Sequence, residues 1–182
     1  ACTRKWLLTI IVLMPRTIFE EEHDMFRDTA RKFFQNEVAP HSERWREQGA
    51  VDPEIFEKTG DMGFLLMWAD EKYGGAGVAD FRYEQILMEE LTLHGEAGFF
   101  LWLHSRLVAP YIDEFGTDEQ KDYYLPRLAR GIEIPCFALT GPEAGSDAAS
   151  MPDTGIVCRQ TFGSNKVLGI RLNWEKRYIT LG

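Results

Sequence analysis

The feature that most constrains the fold is a change of sequence pattern near residue 131. Before it, apolar residues such as Phe26, Ala30 and Phe33 recur with the period near 3.6 that is typical of amphipathic helices. After it, short apolar runs alternate with turn residues, which is the pattern of strands and hairpins. The sequence therefore predicts a mainly α chain, with a helical domain over residues 17–131 and a β region over residues 132–182.

Capping signals place the ends of several predicted helices. Thr17 with Glu20 predicts a capping box at the start of the first helix, and Thr117 with Gln120 predicts another. A further helix is predicted over residues 96–108, and we expect Trp102 to be buried on its inner face. In the β region, residues 156–162 and 167–174 flank a Gly-Ser-Asn turn, which predicts a hairpin.

Composition and charge exclude some classes of function. The net charge is −9, and residues 131–182 contribute nothing to it, because they contain five acidic and five basic residues. Such a chain is a poor nucleic-acid binder, since phosphate contacts need Lys and Arg. The three cysteines and four histidines show no metal-ligand spacing. We therefore expect no metal and no nucleic-acid partner, and a reducing compartment.

Residues 1–16 are predicted to be an extension of unknown role. Residues 6–14 are nine mostly apolar residues, which is far too short to span a bilayer. No small-residue cleavage site of the signal-peptide type follows them. We expect a flexible extension, with weak membrane or partner contact through residues 6–14 as the alternative.

The candidate functional site lies in the β region. Apolar residues 134–139 predict a strand that ends at Thr140 and breaks into a loop containing Ser146. Backbone N–H groups in a glycine-rich loop can form an anion-binding concavity, to which Ser146 adds a hydroxyl. A second predicted strand carries Tyr178 and Thr180 on one face, since side chains two residues apart share a side. This arrangement suits a flat heterocycle that carries phosphates, and two strands with a turn and no ligand explain the spacing equally well.

The loop at residues 140–147, Thr-Gly-Pro-Glu-Ala-Gly-Ser-Asp, resembles the signature of the acyl-CoA dehydrogenases, whose usual form is Thr-Glu-Pro-Gly-Ala-Gly-Ser-Asp. Tyr-Ile-Thr at residues 178–180 occupies the place of that family's Trp-Ile-Thr element. The chain departs from the family at Gly141, Glu143 and Tyr178, where Glu, Gly and Trp are usual. The part before residue 115 resembles the ordinary long-chain enzymes. The part after residue 122 resembles the large bacterial fatty-acid acyl-CoA dehydrogenases, so the chain is either an unusual branch or joined from two sources.

The resemblance implies a helical N-terminal domain and the beginning of a middle β domain, which is incomplete here. It implies FAD as cofactor and α,β-dehydrogenation of fatty acyl-CoA thioesters in β-oxidation. Electrons would pass to electron-transfer flavoprotein or an equivalent acceptor. Ser146 would also contact the substrate, and the implied cofactor-binding residues are Phe137, Ala138, Leu139, Thr140, Gly145, Ser146, Tyr178, Ile179 and Thr180.

The resemblance assigns no catalytic residue, because the family's catalytic glutamate falls after residue 182. Glu90, Glu143 and Glu175 do not match its position, so we expect this chain alone to be inactive. The full-length protein would be a homo-oligomer in the bacterial cytoplasm or the mitochondrial matrix. Two alternatives remain open, an acyl-CoA oxidase of the same fold and a non-catalytic helical binding module.

Overall fold

The computed structural model describes residues 16–94, 96 and 98–181, and in them helices precede a β-hairpin. The predicted extension, with its apolar residues 6–14, lies outside the described residues except for Arg16. The mainly α fold predicted from the sequence is confirmed. The α-helices are α1 (Glu21–Phe33), α2 (Ser42–Gln48), α3 (Glu54–Asp61), α4 (Arg82–Leu93), α5 (Ala109–Phe115) and α6 (Asp118–Ala129).

The core is formed where α1 packs against α4 and the connector that precedes it. The Phe26 ring meets the Phe64 ring edge-on at 5.3 Å and the Tyr83 ring edge-on at 5.0 Å, the geometry that aromatic pairs prefer. Ion pairs also join the two helices, because Arg27 and Arg31 of α1 both bind the buried carboxylate of Glu90 in α4. The apolar stripe predicted for the first helix therefore faces the core.

Two π-helical segments interrupt the helical domain, at Phe34–Val38 and Leu103–Val108. Each is followed by an Ala-Pro pair, Ala39-Pro40 in one case and Ala109-Pro110 in the other. The Ala39 N–H reaches back five residues to the Phe34 carbonyl, and the Ala109 N–H does the same to the His104 carbonyl. Proline lacks an N–H and its ring clashes with the carbonyl four residues earlier, so a widened turn lets the chain remain helical through it.

Two of the predicted helix starts are wrong. The first helix is capped at Glu20 and not at Thr17, because the ring of buried His23 accepts the Glu20 N–H at 3.2 Å. Residues 96 and 98–100 are not helical, since Glu96 Oε1 accepts the Gly98 N–H, and the helix runs from residue 101 to Phe115 instead. Trp102 is 41% exposed, contrary to expectation. The capping box of Thr117 and Gln120 is confirmed.

The predicted hairpin is present as β1 (Thr154–Phe162) and β2 (Asn165–Asn173), paired antiparallel from Thr154↔Asn173 to Phe162↔Asn165. Apart from half-buried Cys158, every residue of both strands is exposed. The ribbon thus carries side chains such as Val157 and Ile170 on its surface, 67% and 63% exposed. No helix among the described residues is both long enough and apolar enough to cross a membrane.

Candidate functional site

The two predicted site segments meet through backbone hydrogen bonds. Phe137 and Thr180 exchange both of their N–H···O bonds, at 3.1 and 3.3 Å, and the Arg177 N–H donates to the Thr140 carbonyl at 2.8 Å. The structure brings residues 137–140 and 177–180 together as expected. The strand predicted over residues 134–139 is nevertheless wrong, since it is reduced to the single bridge of Phe137 to Thr180. Among the described residues, no further strand pairs with this bridge to extend it into a sheet.

Tyr178 adopts a left-handed backbone conformation, with φ of 57°. Such a conformation is uncommon for a bulky residue and costs about 1–2 kcal/mol. It also breaks the strand alternation, so the prediction that Tyr178 and Thr180 share one face of a strand is wrong. Tyr178 is 85% exposed and Ile179 is 45% exposed, whereas Thr180 is half-buried.

The loop that follows Thr140 folds back on itself. The Gly141 N–H donates to the Ala144 carbonyl at 2.8 Å, which closes a tight turn. A Cβ at Gly145 would lie 3.3 Å from the Thr140 methyl group, so glycine allows the loop to approach Thr140 closely. Ser146 follows at the exposed surface, with the exposed carboxylates of Glu143 and Asp147 close to it in sequence.

An open cavity of about 810 Å³ lies beside the second segment. This volume is within the range of about 300–1,000 Å³ that is usual for small-molecule sites. Its wall is formed by residues from both sides of the predicted domain boundary. The lining residues are Trp45, Arg46, Gly49, Ala50, Val51, Pro53, Phe56, Glu96, Gly98, Phe100, Ile134, Tyr178, Ile179, Thr180 and Leu181.

Of the residues predicted to bind the cofactor, Tyr178, Ile179 and Thr180 line this cavity, whereas Thr140 and Ser146 are not among its lining residues. The sequence did not predict the helical side of the wall. Glu96 lines the cavity and is 5% exposed, with its Oε1 accepting the Gly98 N–H at 2.8 Å. The signal was a carboxylate within the short Gly-Glu-Ala-Gly run at residues 95–98. Trp45 was not singled out either, because a tryptophan in a helix is usually read as core.

Two buried histidines, His23 and His104, behave as structural groups. His23 is fully buried and lies near Glu20 and Glu22, all three offering ligand atoms within 4.8 Å of one another. Its Nδ1 accepts the Glu20 N–H and its Nε2 lies 3.3 Å from Asp80, so both ring nitrogens are engaged. This cluster therefore has no imidazole nitrogen to spare for a metal ion.

His104 is also fully buried, and burial lowers its pKa to about 4, against a weaker opposing effect of its bond to the Glu133 carbonyl. Its Nε2 lies 3.3 Å from that carbonyl. The neutral ring thus links the helix that ends at Phe115 to Glu133, and the next residue, Ile134, packs against the helical core.

Residues 20–132 match the family described as Acyl-CoA dehydrogenase, N-terminal domain. The chain belongs to the acyl-CoA dehydrogenase family. The matched residues cover the helical domain, and the family resemblance predicted from the sequence is confirmed.

Relatives of this acyl-CoA dehydrogenase chain are similar beyond the helical domain. The long-chain specific acyl-CoA dehydrogenase of Rattus norvegicus mitochondria is 42% identical over 167 residues, which are 92% of this chain and 37% of the rat protein. An acyl-CoA dehydrogenase structure from Geobacillus kaustophilus has a TM-score of 0.76 at 37% identity, over 91% of this chain and 41% of that one. A glutaryl-CoA dehydrogenase from Mycobacterium smegmatis, solved with FADH2, has a TM-score of 0.71 at 30% identity, over 88% and 39%. The chain therefore spans about two fifths of the length of these proteins.

Proposed function

We propose that this chain is the N-terminal part of an FAD-dependent acyl-CoA dehydrogenase and supplies one wall of the flavin site. The observation that carries the proposal is the exposed, left-handed Tyr178 at the edge of a roughly 810 Å³ cavity. Backbone strain of this kind persists where the surrounding structure enforces it, and it is concentrated at ligand sites.

The residues at the meeting of the two segments fit the ring of a flavin. Tyr178 and Ile179 present exposed apolar surface at the cavity, and a flat ring can cover such surface. Thr140 and Thr180 are half-buried on neighbouring segments held together by backbone hydrogen bonds. Their hydroxyls can donate to or accept from polar atoms at the edge of a ring. On this proposal Thr140 and Thr180 orient the ring, and Tyr178 and Ile179 shield it from water.

The residues fit the pyrophosphate less well. Ser146 is exposed and offers a hydroxyl, as the family resemblance implies. Glu143 and Asp147 are exposed in the same loop and would repel a phosphate group. Part of the Asp147 charge is engaged, because its Oδ2 accepts from Ser150 Oγ at 2.6 Å. We propose that Ser146 binds the pyrophosphate and that Glu143 weakens this binding.

The proposed substrate is a fatty acyl-CoA thioester, with electron-transfer flavoprotein or an equivalent protein as electron acceptor. When bound, FAD supplies the hydride acceptor for α,β-dehydrogenation. The chain's own part in this is to bind the ring, orient it and exclude water. The bacterial cytoplasm or the mitochondrial matrix is the proposed location, and a homo-oligomer is the proposed state of the full-length enzyme.

FAD titration of the chain tests the proposal. We expect saturable binding, seen as a change in flavin fluorescence, that Thr180→Val weakens about fivefold to tenfold, because a hydrogen bond contributes about 1 kcal/mol. Thr161→Val is the matched control, since Thr161 is an exposed threonine at the turn end of the hairpin. It lies outside the segment crossing, which is the place where residues 137–140 meet residues 177–180. No saturable binding by the unsubstituted chain, or equal weakening by both substitutions, would overturn the proposal.

Glu143→Gly restores the residue that the family usually has at this position. It removes a carboxylate from beside the proposed pyrophosphate site, so we expect FAD binding to be unchanged or tighter. Weaker binding after this substitution would contradict the proposed position of the phosphates. Because Glu143 is exposed, the stability of the chain should not change.

We also propose that this chain alone does not dehydrogenate acyl-CoA. Glu90 is held by Arg27 and Arg31 in the helical core, and Glu143 and Glu175 are exposed, so none is placed as a base at the cavity. Acyl-CoA-dependent reduction of an artificial electron acceptor, with FAD added, is the assay. Clear turnover would show that a base exists among these residues, with Glu96 on the cavity wall the first to test by Glu96→Gln.

A further inference from the structure

Lys176 is a buried lysine at the centre of the segment crossing. Its side chain is only 8% exposed, in a region where the neighbouring hairpin is almost wholly exposed. A lysine ammonium is strongly hydrated, so it is buried only where fixed partners replace its water. The burial of Lys176 therefore depends on its partners in the folded chain, which the sequence motif does not reveal.

Three partners surround the Lys176 ammonium. Its Nζ donates to the Leu139 carbonyl at 3.0 Å, lies 3.3 Å from Met151 Sδ and forms an ion pair with the Asp153 carboxylate. A lysine has three N–H groups, and each has a partner here. The bonds join residues 139, 151–153 and 176, so one side chain ties both ends of the proposed Ser146 loop to the Tyr178 segment.

The lysine acts together with the backbone beside it. Lys176 holds the Leu139 carbonyl, while the N–H of the next residue, Arg177, holds the carbonyl of Thr140 at 2.8 Å. Two consecutive carbonyls on one segment are thus bound by two consecutive residues on the other. This fixes the offset between Thr140 and Tyr178 and leaves Thr140 no freedom to slide along the opposite segment.

We propose that Lys176 is a positioning residue, which fixes Thr140 and the Ser146 loop relative to Tyr178 and Thr180 and thereby shapes the flavin-binding surface. Asp153 is the counter-ion that makes burial of the ammonium possible. The role in flavin binding rests on the proposed function, whereas the role in fixing the two segments does not. Lys176 itself lies outside the lining of the cavity, so it acts through the residues it holds.

The test compares Lys176→Met, Lys176→Arg and the control Lys166→Met in the full chain. Lys166 is an exposed lysine of β2, so its loss removes a charge without touching the crossing. Hydrogen exchange at the Arg177 and Thr180 amides reports on the segments without any ligand. We expect exchange at these two amides to be about tenfold faster in Lys176→Met and unchanged in Lys166→Met.

FAD binding provides the second measurement. We expect Lys176→Met to weaken FAD binding about tenfold or more and to shift the absorbance of the bound flavin, with an unchanged melting temperature for the helical domain. Lys176→Arg keeps the charge and two or more donors, so it should restore part of the affinity and of the spectrum.

The outcomes separate the two ideas. Unchanged exchange at Arg177 and Thr180 in Lys176→Met overturns the positioning role, whatever happens to FAD. Faster exchange together with unaltered FAD affinity and spectrum overturns its effect on the flavin surface. If the unsubstituted chain binds no FAD, the proposed function fails, and the exchange measurement alone decides whether Lys176 fixes the segments.

Discussion

Arg31 binds the carboxylate of Glu90 through two nitrogens, with Nε at 3.0 Å from Oε2 and Nη2 at 3.1 Å from Oε1. Glu90 is 1% exposed and also accepts from Arg27 Nη1 at 3.2 Å. The pairing joins α1 to α4 across the helical core. It explains why a glutamate can occupy a position that the helical pattern assigns to the inside.

Glu90→Gln should destabilise the chain by about 1–3 kcal/mol, because charge-assisted bonds to two arginines are replaced by weaker ones in a buried place. Urea unfolding followed by circular dichroism measures the loss. Glu37→Gln is the control, since Glu37 pairs with Lys58 at the surface, where ion pairs contribute little. Equal losses in the two variants would show that burial of Glu90 adds nothing.

His104 should make the fold sensitive to acid. Its pKa is about 4 in the folded chain and near 6.5 in the unfolded one, because burial opposes the charged ring. Between these values the unfolded chain binds more protons, so stability is full above about pH 6.5 and falls as the pH drops towards 4, by roughly 2–3 kcal/mol at pH 4.5.

The matched variant for this prediction is His104→Gln, which cannot titrate in this range. Free energies of unfolding at pH 7 and pH 4.5 should differ less in the variant than in the unsubstituted chain. Other groups, such as Glu84 and Asp80, titrate in both proteins and cancel in the comparison. An identical dependence in His104→Gln would rule out His104 as its source.

Tyr178→Gly should separate stability from binding. Glycine adopts a φ of 57° without penalty, so we expect stability to be unchanged or higher by up to about 1 kcal/mol. FAD binding should weaken, because the aromatic surface is lost, and Tyr178→Phe should retain it. Loss of binding in Tyr178→Phe together with retention in Tyr178→Gly would contradict a role for the ring.

Gly131→Ala should be among the more damaging single changes in the helical domain. A Cβ there would lie 2.1 Å from the Phe56 carbonyl oxygen, and the φ of 72° disfavours any side chain. We expect a loss of roughly 2–5 kcal/mol from the clash and the strain together. Gly163→Ala has a similar φ of 61° with open space around it, so it should lose only about 1 kcal/mol. Similar melting temperatures for the two variants would refute the clash.

The hairpin should exchange its amide hydrogens quickly and promote self-association. β1 and β2 have no covering layer among the described residues, and isolated two-stranded ribbons are marginal in water. Exchange should be fast across 156–173 and slow across 26–38. Ile170→Lys should reduce association measured by sedimentation velocity, while Lys166→Arg should not change it. Equal protection in the two regions would contradict this prediction.

The sequence predicts the helices where a stripe of apolar residues and a capping box agree, as at Thr117 and Gln120. It fails where a distant contact decides. Glu20 caps α1 because the buried His23 ring is held by Asp80, which lies 57 residues later. The strand predicted at residues 134–139 fails for the same reason, because a strand exists only beside a partner, and Phe137 has Thr180 alone.

For the site, the motif at residues 140–147 and Tyr178 to Thr180 led to the two segments that meet. No local sequence pattern predicts the positive φ of Tyr178, which turns a predicted strand into a bend. Neither could it reveal that Glu96 and Trp45 approach the same cavity from the helical side. Both depend on how the β region is set against the helices.

Considered as insertions, the two π turns before Pro40 and Pro110 each add one residue to a helical revolution. One residue corresponds to a rotation of about 100°, so each turn resets the azimuth of every side chain that follows. After the second turn, Ile112 packs against the core and Phe115 points outward, 77% exposed. Deleting one residue at 103–108 would move each later side chain back by one position, about 100°, so Ile112 would leave the core for the exposed position that Tyr111 now has. The length of this segment is therefore fixed more tightly than its composition.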